Sequence, residues 1–316
     1  MKLKDIYKTS IKIGIKNDFR SRKLINEHLK QTKKKYDKLD KKNKALFDKE
    51  RLTNPYSDTR IHFDSGKSVK KVLVGIDITV GDLLIAKELG ADLVINHHPI
   101  GCALQGLDDV MQMQADILAM YGVPINIAQG LLKKRISEVA RGVHASNSYV
   151  TVDAARNLGI SFLNIHTPAD NSVSFYLQQL IKKKDFNYVS ELMDFLNQIP
   201  EYQEAARRGS APTLYAGTLE NRVGKIAITE MTGGTEGSAE IYEKLANAGI
   251  GTVVSMHQSE KNREKAEKAH INMVIASHIA SDSIGMNLIL DEFKQKGLEI
   301  IPAGGFIRVS RTKKNV

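Results

Sequence analysis

Two adjacent histidines close a short apolar run, and their position suggests metal ligation. The stretch Leu93–Pro99 reads Leu-Val-Ile-Asn-His-His-Pro, so a buried strand should end just before His97 and His98. Pro99 lacks an amide hydrogen and favours an extended His98, which holds the pair at the mouth of a loop. Neutral imidazole is a common metal ligand, and consecutive side chains of an extended chain point to opposite sides. The pair suits two neighbouring ions better than one, while a pair of polar loop histidines is an equal alternative for this dipeptide alone.

Histidines and carboxylates recur where other strands are expected to end. One expected strand is followed by His166 and Asp170, another by His278 and Asp282, and a third ends at His257. Strand ends in one parallel sheet lie about 5 Å apart, so side chains distant in sequence can converge there. Each residue alone is more often a loop histidine or a helix cap, but their joint recurrence favours a metal site. Mixed imidazole and carboxylate ligands suit zinc, iron, manganese or nickel.

From Lys71 onward the chain alternates apolar strands with helices, which is typical of an α/β fold whose ligands bind at the carboxyl ends of strands. A linker-like run, Gly209–Pro212, separates two such alternations, so we predict two α/β lobes. The predicted segments are a basic helical extension (1–56), a first lobe with the His-His-Pro motif (57–184), a helical linker (185–210) and a second lobe (211–316). The local patterns predict a helix over 106–121, a strand at 124–127, a helix from 173, and a helix capped by residues 281–283.

The composition is that of an ordinary globular protein, with 42% apolar and 26% charged residues among 316. No apolar run is long enough to span a bilayer, so we expect no membrane helix. We also expect no secretory signal, because no apolar segment near Met1 precedes a small-residue cleavage site. The single cysteine, Cys102, excludes an intramolecular disulfide and fits a reducing cytoplasm. Cys102 is, like His257, a weak candidate for metal contact.

The net charge of +10 is concentrated towards the N-terminus. Residues 1–71 contain 22 lysines and arginines against 9 acidic residues, whereas the rest of the chain is nearly neutral. Such a segment could attract the phosphates of a nucleic acid. A solvated helix face ranks ahead of that interpretation, because no aromatic interleaving or recognition-helix pattern accompanies the charges in Arg20–Lys44.

These motifs resemble the NGG-interacting-factor-three-like family, whose members are often described as GTP cyclohydrolase I type 2 homologues. The resemblance covers roughly Lys71 to Pro302. It rests on Leu93–Pro99, the His-Thr-Pro-Ala-Asp run from His166, and a carboxylate four residues after His278. It implies a two-lobed α/β subunit with a dinuclear metal site between the lobes, commonly assembled as a ring-shaped homohexamer.

The resemblance also implies a set of ligands for two divalent transition-metal ions. The residues that match family ligands are His97, His98, Asp170 and His278. At position 282 the family usually has glutamate, whereas this chain has aspartate. Because aspartate is one methylene shorter, Asp282 must either approach more closely to bridge both ions or bind only one. His166 would orient Asp170, since metal ligands usually need such a partner.

The leading functional hypothesis is a metal-dependent hydrolase of the cyclohydrolase type, with a hydroxide that bridges two ions as the nucleophile. The sequence has no nucleophilic triad and no base-recognition motif that would support GTP, so the small-molecule substrate stays open. The same ligands would serve a non-catalytic metal carrier or a regulatory interaction protein, which is the alternative. Nucleic-acid binding through the N-terminal helices ranks third.

Overall fold

The computed structural model describes residues 1–312. In chain order the elements are α1 (Leu3–Asn17), α2 (Arg22–Asp37), α3 (Lys41–Leu46), a 3-10 turn (Lys49–Leu52), β1 (Ile61–Phe63), β2 (Lys71–Gly75), α4 (Val80–Glu88), β3 (Leu93–Asn96), α5 (Gly101–Leu104), α6 (Leu107–Val110), α7 (Met113–Met120), α8 (Ile125–His144) and α9 (Val150–Leu158). They continue with β4 (Ser161–Asn164), α10 (Thr167–Ile181), α11 (Val189–Leu196), α12 (Pro200–Arg207), β5 (Thr213–Ala216), β6 (Lys225–Ile228), α13 (Ile241–Asn247), β7 (Ile250–Ser255), α14 (Glu260–Lys268), β8 (Asn272–Ile275), α15 (His278–Gln295) and β9 (Glu299–Pro302).

Two mainly parallel sheets form the two lobes. Within residues 1–312, the first has five strands in the order β1–β4–β3–β2–β9, and the second has four in the order β5–β8–β7–β6. The edge strands β1 and β5 run antiparallel to their neighbours, and all other pairs are parallel. The predicted two-lobed α/β architecture is therefore confirmed.

The central strands are apolar on both faces because helices cover both sides of the sheet. In β3, Leu93 and Ile95 pack against α1 and α15, whereas Val94 packs on the opposite face against α4 and α9. All three side chains are fully buried, and so is His97 just beyond the strand. Polar groups at this end of the sheet therefore need partners within the protein.

Helices α10 and α15 join the two lobes. α10 follows β4 of the first sheet, α15 follows β8 of the second, and the two helices pack against each other. They approach so closely that a Cβ atom on Gly285 would lie 2.2 Å from the carbonyl oxygen of Ala169. This contact brings the beginnings of both helices to the carboxyl ends of both sheets.

The structure divides the chain differently from the predicted segments. Within the predicted extension 1–56, α1 is part of the first lobe, because Leu3 and Ile6 are buried against the first sheet. The predicted linker 185–210 is helical, but α11 and α12 add buried side chains such as Tyr202 to the core shared by the lobes. Both segments are thus structural parts of the lobes.

The predicted second lobe, 211–316, does not stay within one sheet. Its last strand, β9, pairs in parallel with β2 at the edge of the first sheet. That pairing satisfies a row of backbone groups on β2 and places Leu298 in the core under the first sheet. A local hydrophobic pattern carries no information about which distant edge a strand will join.

Several local boundaries also differ. The strand predicted at 124–127 is the first turn of α8, whose buried face begins with Ala128 and Leu132. The helix predicted over 106–121 is broken between α6 and α7, and α10 begins at Thr167 rather than at 173. Among residues 1–312, no helix combines the length and the apolar character needed to cross a membrane.

Candidate metal centre

Strand ends from both lobes deliver the histidines to one place. His97 and His98 follow β3, and His166 follows β4, which lies beside β3 in the first sheet. His278 follows β8 of the second sheet. The side chains therefore converge between the two sheets. Adjacent strand ends alone would predict a site along the edge of one sheet.

The two carboxylates reach the same place through helix geometry. Asp170 lies one turn into α10 after His166, and Asp282 lies one turn into α15 after His278. Residues four apart share a helix face, so each carboxylate points the same way as its histidine. The helix predicted to be capped by residues 281–283 in fact starts at His278. Ser277 has a φ of 53°, a strained conformation that turns the chain sharply from β8 into α15.

On the first-lobe side, one imidazole lies between two buried carboxylates. The Nε2 atom of His97 is 3.4 Å from Oδ1 of Asp170 and 3.4 Å from Oδ1 of Asp282. The Nε2 atom of His166 is 3.7 Å from the other Asp170 oxygen. His97, His166 and Asp170 thus place ligand atoms close enough together for one ion.

The carboxylate of Asp282 also faces the remaining histidines. Its Oδ2 atom lies 3.4 Å from Nε2 of His98 and 3.5 Å from Nε2 of His278. His97, His98 and Asp282 form a second group that could hold an ion. Because the two oxygens of Asp282 face different imidazoles, the shorter aspartate side chain reaches both sides of the cluster.

The outward nitrogens of the three first-lobe histidines are held by protein acceptors. His97 Nδ1 donates to the carbonyl oxygen of Ile165 at 2.9 Å, and His98 Nδ1 donates to Asp77 at 2.8 Å. His166 Nδ1 donates to Asp58 at 2.7 Å. A proton on Nδ1 leaves the lone pair of a neutral ring on Nε2, which points into the cluster. The residues are oriented as metal ligands usually are.

The inward-facing atoms lack partners within the described chain. The buried atoms without a hydrogen bond include Nε2 of His97 and both oxygens of Asp170 and of Asp282. Buried polar groups are nearly always satisfied, and each unsatisfied one costs about 1–3 kcal/mol. Divalent transition metals accept nitrogen and oxygen donors together. The orphaned atoms and the donor set therefore fit a metal ion better than they fit a closed hydrogen-bond network.

Burial and the contacts between the histidines and the carboxylates have opposite effects on the pKa values of the cluster. Burial alone would lower the pKa of His97 and His98, but the nearby carboxylates outweigh it. They hold the His97 pKa well above its usual value and raise that of His98 to about 9. Burial opposes ionisation of Asp282, yet His97 and His278 keep its pKa well below the usual range. His278 is different, because burial lowers its pKa to about 4.

The weaker candidates lie beside the cluster or away from it. The His257 ring is 4.3 Å from that of His278, but its Nδ1 atom donates to the carbonyl oxygen of Glu230 at 3.0 Å. Neither His257 nor His278 belongs to the two groups of close ligand atoms found among residues 1–312, but His278 faces the Asp282 carboxylate at 3.5 Å. Cys102 is exposed on the short helix α5.

Sequence reasoning missed Asp58. This carboxylate is fully buried, holds His166, and also accepts a hydrogen bond from the Thr167 hydroxyl at 2.6 Å. It lies in the polar stretch that the sequence marks as a domain boundary, where no periodic pattern surrounds it. Asp77 was recognisable only as a residue at a strand end. Nothing local to either residue reveals a distant histidine as its partner.

Comparison with solved structures identifies the fold. A NIF3 superfamily protein from Sphaerobacter thermophilus shares 28% sequence identity over 79% of this chain and 92% of its own, with a TM-score of 0.73. The chain has the NIF3 fold. The family resemblance predicted from the histidine motifs is therefore confirmed.

Two other solved structures are less similar to this chain. Reduced HcgD from Methanocaldococcus jannaschii shares 16% identity over 75% of this chain and 84% of its own, with a TM-score of 0.45. A Bacillus cereus protein related to NIF3 shares 11% identity over 79% and 92%, with a TM-score of 0.43. No family model and no curated protein sequence matches the chain.

Proposed function

We propose that this NIF3-type protein binds two divalent transition-metal ions and hydrolyses a small molecule. The observation that carries the proposal is the Asp282 carboxylate. It is fully buried, neither of its oxygens has a hydrogen-bond partner in the described part of the chain, and three imidazole nitrogens lie 3.4–3.5 Å from them. A single carboxylate in that position suits an arrangement in which two ions share one ligand.

The residues divide naturally between the two ions. His97 and Asp170 would hold one ion, His98 and His278 would hold the other, and Asp282 would contact both. His166 lies close enough to Asp170 either to orient it, as the resemblance implies, or to add a ligand. Zinc, iron, manganese and nickel all accept such a mixed donor set.

The chemistry that two such ions supply is Lewis acidity and a water molecule whose pKa is lowered to about 7, which makes it a nucleophile at neutral pH. The chain's own residues orient and enclose this centre. Asp77 and Asp58 hold His98 and His166 from behind, which limits rotation of both rings. The side chains of His98 and His278 are 24% and 36% exposed, so a substrate approaches from their side.

Elemental analysis tests the metal site first. Protein purified without added metal or chelator should contain close to two transition-metal ions per chain. Asp170→Asn should retain about one ion, because Asp170 contacts only the first-lobe histidines, whereas Asp282→Asn should lose both. Asp291→Asn is the matched control, since Asp291 is a buried carboxylate on the same helix that pairs with Arg308 instead. Wild-type protein that stays metal-free after titration would refute the proposal.

Turnover then separates a hydrolase from a metal carrier. The metal-loaded protein should hydrolyse at least one member of a panel of nucleotides, phosphoesters and cyclic amidines, and Asp282→Asn should lose that activity. A cyclohydrolase-type reaction is what the family resemblance implies. Rapid transfer of metal to an apo-acceptor without turnover of any panel member would favour the carrier instead.

A further inference from the structure

A cavity of about 520 Å³ opens beside the second-lobe side of the metal centre. His278 forms part of its wall, together with Arg135 from α8 and Tyr215 from β5. His278 is the most exposed of the residues proposed as ligands, at 36% of its side chain. The cavity therefore leads from solvent to the metal centre, and what lines it determines which molecules enter.

Arg135 is held in place there, and among residues 1–312 no carboxylate accepts a hydrogen bond from it. Its Nε atom donates to the carbonyl oxygen of Glu236 at 3.2 Å, which fixes the guanidinium. Its two Nη atoms lie 3.8 Å from the carboxylates of Glu138 and Glu236, beyond hydrogen-bond distance. Across residues 1–312, neither Nη atom donates a hydrogen bond, and the side chain is 30% exposed. The free edge of the guanidinium thus keeps its donors for a ligand.

Of the two carboxylates near Arg135, that of Glu236 is partly engaged elsewhere. One oxygen of Glu236 accepts from the backbone amide of Ser259 at 2.6 Å, at the beginning of α14. Glu138 lies one turn after Arg135 on α8 and is 40% exposed, so solvent screens its charge. Glu236 also lines the cavity and is only 14% exposed, so its carboxylate offsets part of the positive charge of Arg135. It nevertheless leaves both Nη atoms of Arg135 without a hydrogen bond among residues 1–312.

We propose that Arg135 binds the oxyanion of a small-molecule ligand, a carboxylate or a phosphate group, in this cavity. Guanidinium presents parallel donors that match two oxygens of such a group, and charge-assisted hydrogen bonds of this kind are among the strongest in proteins. The ring of Tyr215, which is 44% exposed, offers an apolar face to the uncharged part of the ligand. The identity of this ligand as a substrate rests on the proposed hydrolase function, whereas its binding at Arg135 does not.

The alternative role of Arg135 is purely structural, because its Nε atom ties α8 to the glycine-containing loop 232–238 through the carbonyl oxygen of Glu236. Calorimetric titration of the full-length protein, with metal content measured in each sample, separates the two roles. The probes are phenyl phosphate and benzoate, which differ in the oxyanion, and benzamide as a neutral probe of similar shape. The variants are Arg135→Gln, Arg135→Lys and, as a control, Arg141→Gln. Arg141 is exposed on the same helix, and its guanidinium donates to the hydroxyl of Ser137.

Wild-type protein should bind at least one anionic probe. The probe that binds more tightly shows whether the site prefers a phosphate or a carboxylate. Arg135→Gln should weaken that binding by about tenfold to a hundredfold, the effect of losing a charge-assisted hydrogen bond. The anion affinity of Arg135→Lys should lie between those of wild type and Arg135→Gln, since lysine keeps the charge but lacks the planar, forked donor group of arginine. Arg141→Gln should bind as wild type does, and benzamide binding should not respond to any variant.

Three results would overturn the inference: no binding of either anion by wild-type protein, unchanged anion binding in Arg135→Gln, or an equal loss for benzamide. Thermal melting of each variant shows whether a loss of anion binding reflects unfolding. If Arg135→Gln has a much lower melting temperature than wild type, Arg135→Lys provides the comparison instead. The metal measurement keeps the two proposals apart. Wild-type protein without metal would contradict the hydrolase, while a selective loss of anion binding in Arg135→Gln would still support the subsite.

Discussion

Metal uptake by this cluster should release protons, and the number is set by the carboxylates that face its histidines. In the metal-free protein, Asp282 and Asp170 hold the pKa of His97 well above its usual value, and Asp282 and Asp77 raise that of His98 to about 9. A divalent ion needs the lone pair of a neutral imidazole, so each ring must lose a proton when it binds. The carboxylate of Asp282 is already ionised and contributes no proton.

The expected number follows from these values. A histidine with a pKa of about 9 is about 99% protonated at pH 7, so filling its site releases close to one proton. The carboxylates also hold the His97 pKa well above its usual value, so the two imidazoles together should release up to about two protons per chain. Ionisation of a metal-bound water would add to that number. His278 contributes none, because burial keeps its pKa near 4 and its ring neutral. Between about pH 6.5 and 8.5, the affinity of each ion should therefore fall about tenfold for every unit by which the pH is lowered.

Calorimetric titration of chelator-stripped protein with Zn²⁺ measures the release directly. At pH 7, two buffers with different heats of ionisation give different apparent enthalpies, and their difference counts the protons released. Nitrogen-15 spectra of the metal-free protein assign the charge to residues, with His97 and His98 charged and His278 neutral. Asp282→Asn should remove most of the charge on both rings, and Asp291→Asn should leave it unchanged.

Release of fewer than about half a proton per bound ion at pH 7 would refute this reasoning, provided that two ions bind. It would mean that the imidazoles are already neutral in the metal-free protein and that burial outweighs the carboxylates. An affinity that does not change between pH 6.5 and 8.5 would lead to the same conclusion. A charged His278 ring would instead show that the cluster is more hydrated than its exposed fractions imply.

Three further predictions concern stability. In metal-free protein, the raised His98 pKa contributes stability that is fully present below about pH 6.5 and is lost as the pH rises through about 9. Urea unfolding should therefore show a loss of up to about 3 kcal/mol between pH 6.5 and 10 from His98, and the total loss should be smaller in the His98→Gln variant, where the raised pKa of His97 still contributes. Asp58→Asn removes the negative charge that holds His166 and Thr167 and replaces one acceptor oxygen with a donor NH2 group. It should lower the unfolding free energy by about 1–3 kcal/mol and weaken metal binding about tenfold to a hundredfold. Exposed Asp64→Asn is the control, and equal effects of the two changes would contradict the role of Asp58. Gly285→Ala should destabilise the fold by at least about 3 kcal/mol in thermal or urea unfolding, because its Cβ would lie 2.2 Å from the Ala169 carbonyl oxygen. Gly130→Ala, in α8 with open space around it, should instead stabilise by about 0.5–1 kcal/mol, and similar effects of both changes would contradict the close packing of α10 on α15.

Much of the site is readable from the sequence because it depends on short-range geometry. Apolar residues 93–95 followed by His97 and His98 predict a buried strand that ends in histidines, and the structure has that strand at Leu93–Asn96. The four-residue spacing of His166 with Asp170 and of His278 with Asp282 places each pair on one helix face, whatever the rest of the chain does. Backbone geometry over a few residues is enough for these inferences.

Tertiary structure alone decided the partners of those residues. Asp58 and Asp77 hold histidines that are 108 and 21 positions away, and Arg135 reaches the cavity beside His278 from a helix of the first half of the chain. In the same way, β9 joins the first sheet and α1 packs into its core, although the sequence assigned them to a second lobe and to an extension. Strand pairing and buried polar contacts depend on which distant surfaces are left uncovered after folding. Local periodicity carries no record of that, so only the folded chain shows how the two lobes close around the site.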